Sequence, residues 1–215
     1  GTTYPSNWIR LKRVDDTFYA YRSLDGNYWT IVCTGDFTTL GEDSSNQMPE
    51  AGYIGIAYST QDKNNLHKAV VSGFQTDYVA PDYPTPDPSD YAFAIVGLEE
   101  GGVEGFYDYD AEIGIFELWG CGSDVWGTAD HFAYLYRLAP EGDFSFTAEL
   151  VGFPASGNNW AKAGLMIREG TAEGALYQSS RTVMTHSQRE LKPGNVYWRG
   201  AWRPALDASI GSDQA

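Results

Sequence analysis

Val79-Ala-Pro-Asp-Tyr-Pro-Thr-Pro-Asp-Pro-Ser-Asp-Tyr91 places four prolines, Pro81, Pro84, Pro86 and Pro88, within eight residues. Each proline removes a backbone donor and fixes φ, so neither a helix nor a central strand can form here. Such a run favours extended polyproline II at roughly 3 Å per residue, a semi-rigid spacer of the kind that lies between domains. Residues 78–94 therefore read as an acidic, proline-rich linker. Residues 1–77 read as a structure that finishes, and residues 95–215 as one that starts. The expectation is a chain that begins and stops in mid-domain, with its true boundary at the linker.

Working outward, both flanks read as short strands. Trp8-Ile-Arg-Leu-Lys-Arg-Val14 alternates apolar and basic residues, Asp15-Asp16 turns the chain, and Phe18-Tyr-Ala-Tyr-Arg22 resumes the alternation. Asp25-Gly26 supplies the positive φ for a hairpin into Tyr28-Trp-Thr-Ile-Val-Cys33. After a polar loop over 35–50, Tyr53–Tyr58 and Lys68–Phe74 read as strands. Beyond the linker, strands are expected at 105–109, 114–119, 131–136, 144–151, 163–168, 175–184 and 197–202. The clearest period-2 runs are 131–136 and 144–151. No stretch holds a 3.6 period over three turns. About a dozen strands with frequent turns specify an all-β, antiparallel sandwich or barrel.

The 215 residues are 42% apolar and 15% aromatic, with 24 Gly and 10 Pro, the composition of a folded, turn-rich β protein. No apolar run approaches the roughly 20 residues that span a bilayer as a helix. The net charge of −15 is concentrated. Residues 78–130 hold 12 acids and no base, whereas 131–215 hold 8 of each. That field repels nucleic acid and anionic membranes, and favours divalent cations or a basic partner surface. A solubilising acidic face is the simpler alternative.

Asp108-Tyr-Asp-Ala-Glu112 carries three carboxylates at i, i+2, i+4, which share one face if the segment is a strand. The set is similar to the Glu-x-Asp-x-Glu strand of some retaining glucanases, here with Asp at the first position, and that resemblance implies paired carboxylates as nucleophile and acid/base. Calcium ligation by Asp108, Asp110, Glu112, Asp124 and Asp130, with Glu99, Glu100 and Glu104 as further candidates, is the other functional reading, and a solvated turn the bland one. No D-x-D-x-D-G loop, zinc spacing, G-x-S-x-G elbow or phosphate loop is present. His67, His131 and His186 are scattered. Cys33 and Cys121 admit one disulfide or two buried thiols.

Two sets of segments carry a resemblance to a known family. Ser123-Asp-Val-Trp-Gly-Thr-Ala-Asp130, a strand pair, and Gly157-Asn-Asn-Trp-Ala-Lys-Ala-Gly-Leu-Met-Ile-Arg-Glu169 resemble the opening half of a concanavalin A-like (laminin G-like) jelly-roll domain. Trp8–Arg13, Phe18-Tyr-Ala-Tyr-Arg-Ser-Leu-Asp-Gly-Asn-Tyr-Trp29 and Tyr53–Tyr58 resemble its closing half. Here the closing half comes first. The resemblance implies a jelly-roll sandwich completed across a repeat or neighbouring-subunit boundary. It also implies the setting of secreted bacterial glycoside hydrolases and large surface proteins, extracellular or on the cell surface. Trp8, Trp29, Trp126 and Trp160 match family positions and are expected in the core.

The leading expectation is thus a non-catalytic structural unit of an extracellular filament or array. Its partners would be copies of itself, contacting nucleic acid nowhere and inserting in no membrane. A single chain folded as a circular permutant is the alternative arrangement. Tyr78, Tyr83 and Tyr91 would dock the linker, and a Cys33–Cys121 disulfide would staple the two halves in an oxidising compartment. The alternative function is a carbohydrate-binding module that reads polysaccharide through exposed aromatics. A glucanase is third.

Overall fold

The computed structural model describes residues 7–36, 52–78, 87–98, 101–125, 130–152, 160–169, 182–189, 196–203 and 211–214. The N-terminal strands are β1 (Asn7–Val14), β2 (Thr17–Ser23), β3 (Thr30–Asp36), β4 (Tyr53–Ser59) and β5 (Asp62–Tyr78). After a 3₁₀ turn at Pro88–Asp90 come β6 (Ala92–Val96), β7 (Phe106–Asp110), β8 (Ile115–Gly122), β9 (Asp124–Val125) and β10 (Asp130–Leu138). β11 (Phe144–Gly152), β12 (Lys162–Arg168), β13 (Thr182–Arg189), β14 (Val196–Arg203) and β15 (Gly211–Gln214) complete the set. Among the described residues all pairings are antiparallel. One sheet runs β3-β2-β1-β11-β5-β8-β7; the other runs β15-β14-β13-β12-β4-β10-β6, with β9 on β10. β8 packs over β10 and β3 over β14, so the sheets stack face to face as a β-sandwich.

The alternation read in the sequence sets the inner face of the first sheet. Ile9 and Leu11 of β1, Phe18 and Ala20 of β2, Phe146 and Ala148 of β11, and Leu118 of β8 are buried to 1% exposure or less. They meet Ile54, Ile56, Ala133, Leu135, Leu165 and Ile167 of the second sheet in one cluster. Each large side chain so buried contributes about 1.5–3 kcal/mol.

The second sheet departs from alternation. β10 and β12 are buried along nearly their whole length, on both faces. Phe132, Tyr134, Tyr136 and Met166, pointing away from the first sheet, form a second cluster with Ala57, Val96 and Val125. Period 2 in 131–136 therefore does not mark one wet face. Both sets are apolar or aromatic, the pattern of a strand covered on both sides.

The residues before and after the proline stretch build the same sheets. β4 lies between β10 and β12, β5 lies between β11 and β8, and β1 pairs with β11. Pro81, Tyr83, Pro84 and Pro86 lie outside the described residues. At its C-terminal end the linker is shorter than expected, because residues 92–94 belong to β6. Asp87 caps the 3₁₀ turn by accepting the Ser89 N–H at 2.8 Å, and Pro88 takes the first helical position, where its missing N–H costs nothing. Tyr91 is 5% exposed and packs edge-on against Phe116 at 5.5 Å, inside this sandwich rather than against a neighbour. The 35–50 loop lies, from residue 37 onward, outside the described residues, and β5 is longer than the strand expected at 68–74.

Candidate functional site: two edge hairpins and the face between them

The β2–β3 hairpin is held by a carboxylate. Asp25 Oδ1 accepts the N–H groups of Asn27 at 2.9 Å and Tyr28 at 3.0 Å, and the Ser23 hydroxyl at 3.0 Å. Ser23 Oγ in turn accepts the Gly26 N–H at 2.9 Å. The Tyr28 and Asn27 N–H groups hold the Asp25 carboxyl below the usual carboxylate range. The loop runs through Trp29, so β3 starts two residues later than expected. Arg22, Ser23, Leu24, Asp25, Tyr28 and Thr30 line a cavity of ≈ 290 Å³ here. Leu24 and Tyr28 are largely exposed. Among the described residues Arg22 makes no ion pair.

The depressed Asp25 pKa gives a signed pH dependence. The charged carboxylate stabilises the hairpin above the unfolded-state value of about 4, and that contribution is lost as pH falls through the lower folded value. In urea titrations the stability gap between the native chain and Asp25→Ala is therefore expected to be full at pH 6 and to shrink below about pH 4. A gap that stays constant down to pH 2 would contradict this role.

The outer face of the first sheet links this hairpin to the opposite edge. Trp8 pairs with Ser23 and Glu149, Glu149 with Ser72, Ser72 with Ile115, and Ile115 with Asp110. The face is aromatic and charged. Arg10 donates to Thr147 Oγ1 at 2.8 Å and lies 4.0 Å over the Trp29 ring. Lys68 pairs with Glu117 at 2.7 Å, and Phe106 stacks on Trp119 at 5.8 Å and 17°. Trp8 spans the sheet. A Cβ at Gly73, whose φ is +58 in the β5 bulge, would stand 2.7 Å from Trp8 Cη2. Trp8 and Trp29 thus cover the sheet from outside rather than fill its core, and Trp160 is 52% exposed. Trp126 lies outside the described residues.

At the far edge, β7 ends at Asp110. Glu112 therefore leaves the strand and does not share a face with Asp108 and Asp110. Asp110 makes the turn instead: its carboxylate accepts the N–H groups of Glu112 at 2.9 Å and Ile113 at 3.3 Å, and its carbonyl accepts Gly114 N–H at 2.8 Å. Asp108 accepts its neighbour Tyr109 N–H at 2.9 Å. All three acids are exposed, and Ile113 is 65% exposed at the tip.

Asp124 and Asp130 are elsewhere, each bound to a cation of β12. Lys162 Nζ donates to Asp124, and Arg168 donates to Asp130 at 2.5 Å. Arg168 and Asp130 are both 1% exposed, and the guanidinium lies 5.4 Å over Phe132. The five acids expected to bind calcium thus fall into two separate places. Among the described residues no three or more His, Cys, Asp or Glu converge on a metal position. Glu99 and Glu100 lie outside the described residues.

The cysteines do not pair either. Cys33 on β3 and Cys121 on β8 are both buried and five strand positions apart in one sheet. At about 4.8 Å per step that is roughly 24 Å, against the roughly 7 Å limit for a disulfide. Burial pushes the Cys121 thiol up, away from the reactive thiolate. No described helix is long and apolar enough to cross a membrane, which leaves β-barrel spanning unaddressed.

Sequence reading missed the roles of Arg22, Leu24, Tyr28 and Ile113 in the two tips. The available signal was apolar residues set inside turn sequences, Leu24 next to Asp25-Gly26 and Ile113 before Gly114. The chain matches no protein-family model and no curated protein.

Proposed function

We propose that this chain is a non-catalytic structural unit of an extracellular filament or array built from concanavalin A-like, laminin G-like sandwiches. The observation that carries the reading is the mutual dependence of the two flanks of the proline stretch. β4 and β5 find both their neighbours among strands from beyond residue 91. In the structure the closing half takes its opening half from its own chain; the same pairing made with the next copy instead would propagate. In the exchanged arrangement the proline-rich sequence of 79–86 would set the reach from one copy to the next.

Light scattering on the 215-residue chain tests it. The expected result is a native mass that grows with concentration as multiples of 23.7 kDa. Because both thiols are buried, a denaturing gel is expected to show one 23.7 kDa band with or without reductant. A particle fixed at 23.7 kDa across about three decades of concentration would sink the assembly reading. One observation then favours a carbohydrate-binding module: the near-parallel Phe106–Trp119 pair, with Phe106 half exposed on an open sheet face, is a surface on which a sugar ring could stack. Loss of polysaccharide retention in Trp119→Ala would be its test.

A further inference from the structure

Among the described residues eight large hydrophobic side chains are exposed, and five of them sit on the two edge hairpins of the first sheet. Leu24, Tyr28 and Ile31 belong to the β2–β3 hairpin; Phe106 and Ile113 belong to the β7–β8 hairpin. Scattered exposed apolar residues need no explanation, but a concentration at opposite edges of one sheet does.

The two tips also differ in their available charged groups. The β2–β3 tip is concave, and its one basic group, Arg22, makes no ion pair among the described residues. Its one carboxylate, Asp25, is occupied by backbone N–H groups and Ser23. The cavity of ≈ 290 Å³ is at or below the smallest pockets that take drug-sized ligands, so its size suits one or two side chains. The β7–β8 tip carries a run of exposed residues, 110–113. It presents Glu112, also without an ion pair among the described residues, beside Ile113. A carboxylate for the guanidinium and a branched aliphatic for Leu24 and Tyr28 are what the cavity lacks.

Register settles how such tips can meet. Both spring from the row Ser23–Trp8–Glu149–Ser72–Ile115. From that row β2 continues into its tip on the side of Asn7 and Leu150, whereas the β7–β8 turn lies on the side of Arg10 and Thr147. The tips therefore point in opposite senses along the strands, at opposite edges. They cannot meet within one chain.

We infer that the β7–β8 tip of one copy, through Glu112 and Ile113, docks in the Arg22–Leu24–Tyr28 cavity of the next copy. The contact joins two different surfaces, so it repeats in one direction and does not close as a two-fold dimer. It rests on the assembly reading and names a contact within it. The Arg22–Glu112 pair gives register and partner choice, and the Ile113 contact excludes water around it.

Sedimentation velocity of the full chain, with Arg22→Glu, Glu112→Arg and the double variant, tests this directly. Each single reversal is expected to weaken association at least tenfold in concentration. An equimolar mixture of the two singles should assemble again, because each supplies the tip the other's cavity now fits, and the double variant should assemble alone. Misfolded variants could not recover on mixing. If the native chain assembles and the single reversals assemble equally well, or if neither the mixture nor the double variant recovers, this contact is wrong while the assembly reading stands. A native chain that stays monomeric overturns both.

Discussion

Replacing Arg168 with Met is expected to lower stability by about 3–5 kcal/mol, because the buried Asp130 carboxyl group loses the guanidinium that pairs with it. Both residues are 1% exposed, and the guanidinium donates to the Asp130 carboxylate at 2.5 Å while lying over Phe132. The alkyl part of Met keeps most of the packing, so the loss falls on the guanidinium's ion pair and its contact over Phe132. The double variant Arg168→Met, Asp130→Leu is expected to regain most of the loss, since an apolar pair has no desolvation cost to offset. Urea unfolding of the four proteins closes the cycle. A single variant within about 1 kcal/mol of the native chain would mean that the pair is not desolvated in solution.

Gly120→Ala is expected to cost about 3 kcal/mol, the upper end for overpacking. Gly120 faces inward from β8, and a Cβ there would stand 2.3 Å from the Ala133 Cβ and 3.2 Å from the Tyr58 ring. Both are carried by strands with neighbours on either side, so neither can retreat without moving a sheet. Moving the methyl across the gap, as Gly120→Ala with Ala133→Gly, keeps the total volume and is expected to recover most of the stability. Failure of the exchange to recover it would place the strain in the β8 backbone instead of the space between the sheets.

The sequence disclosed those parts of the fold that alternation controls. β1, β2 and β11 were legible because one face of each is apolar and the other polar, small or aromatic in a fixed period, and β4 because it is a short buried run. The Ser23–Gly26 turn was legible because Asp-Gly has few other conformations to adopt. β6 was lost because proline rules were extended past Asp90, where the capped 3₁₀ turn already ends the spacer. The acids misled for a different reason. Composition counts charge but does not show partners, and Lys162 and Arg168 each lie 38 residues from the aspartate they neutralise. A disulfide was drawn from the number of cysteines, whereas sheet order separates them by five strands. The tips were missed because a turn that is polar on average hides a single exposed Leu or Ile.

The interleaving of the two flanks also has a consequence in time. Arg10 and its partner Thr147 are 137 residues apart, so β1 cannot complete its sheet until β11 has been made. At translation rates of about 5–20 residues per second, that is a delay of about 7–30 s. Through it, β1 waits with one open edge, and β4 and β5 wait for strands from beyond residue 91, with apolar faces in reach of any neighbouring nascent chain. Chains made side by side on one message would have that interval in which to exchange halves. If halves are exchanged as proposed, the strand order would couple the assembly to the spacing of the ribosomes that make it.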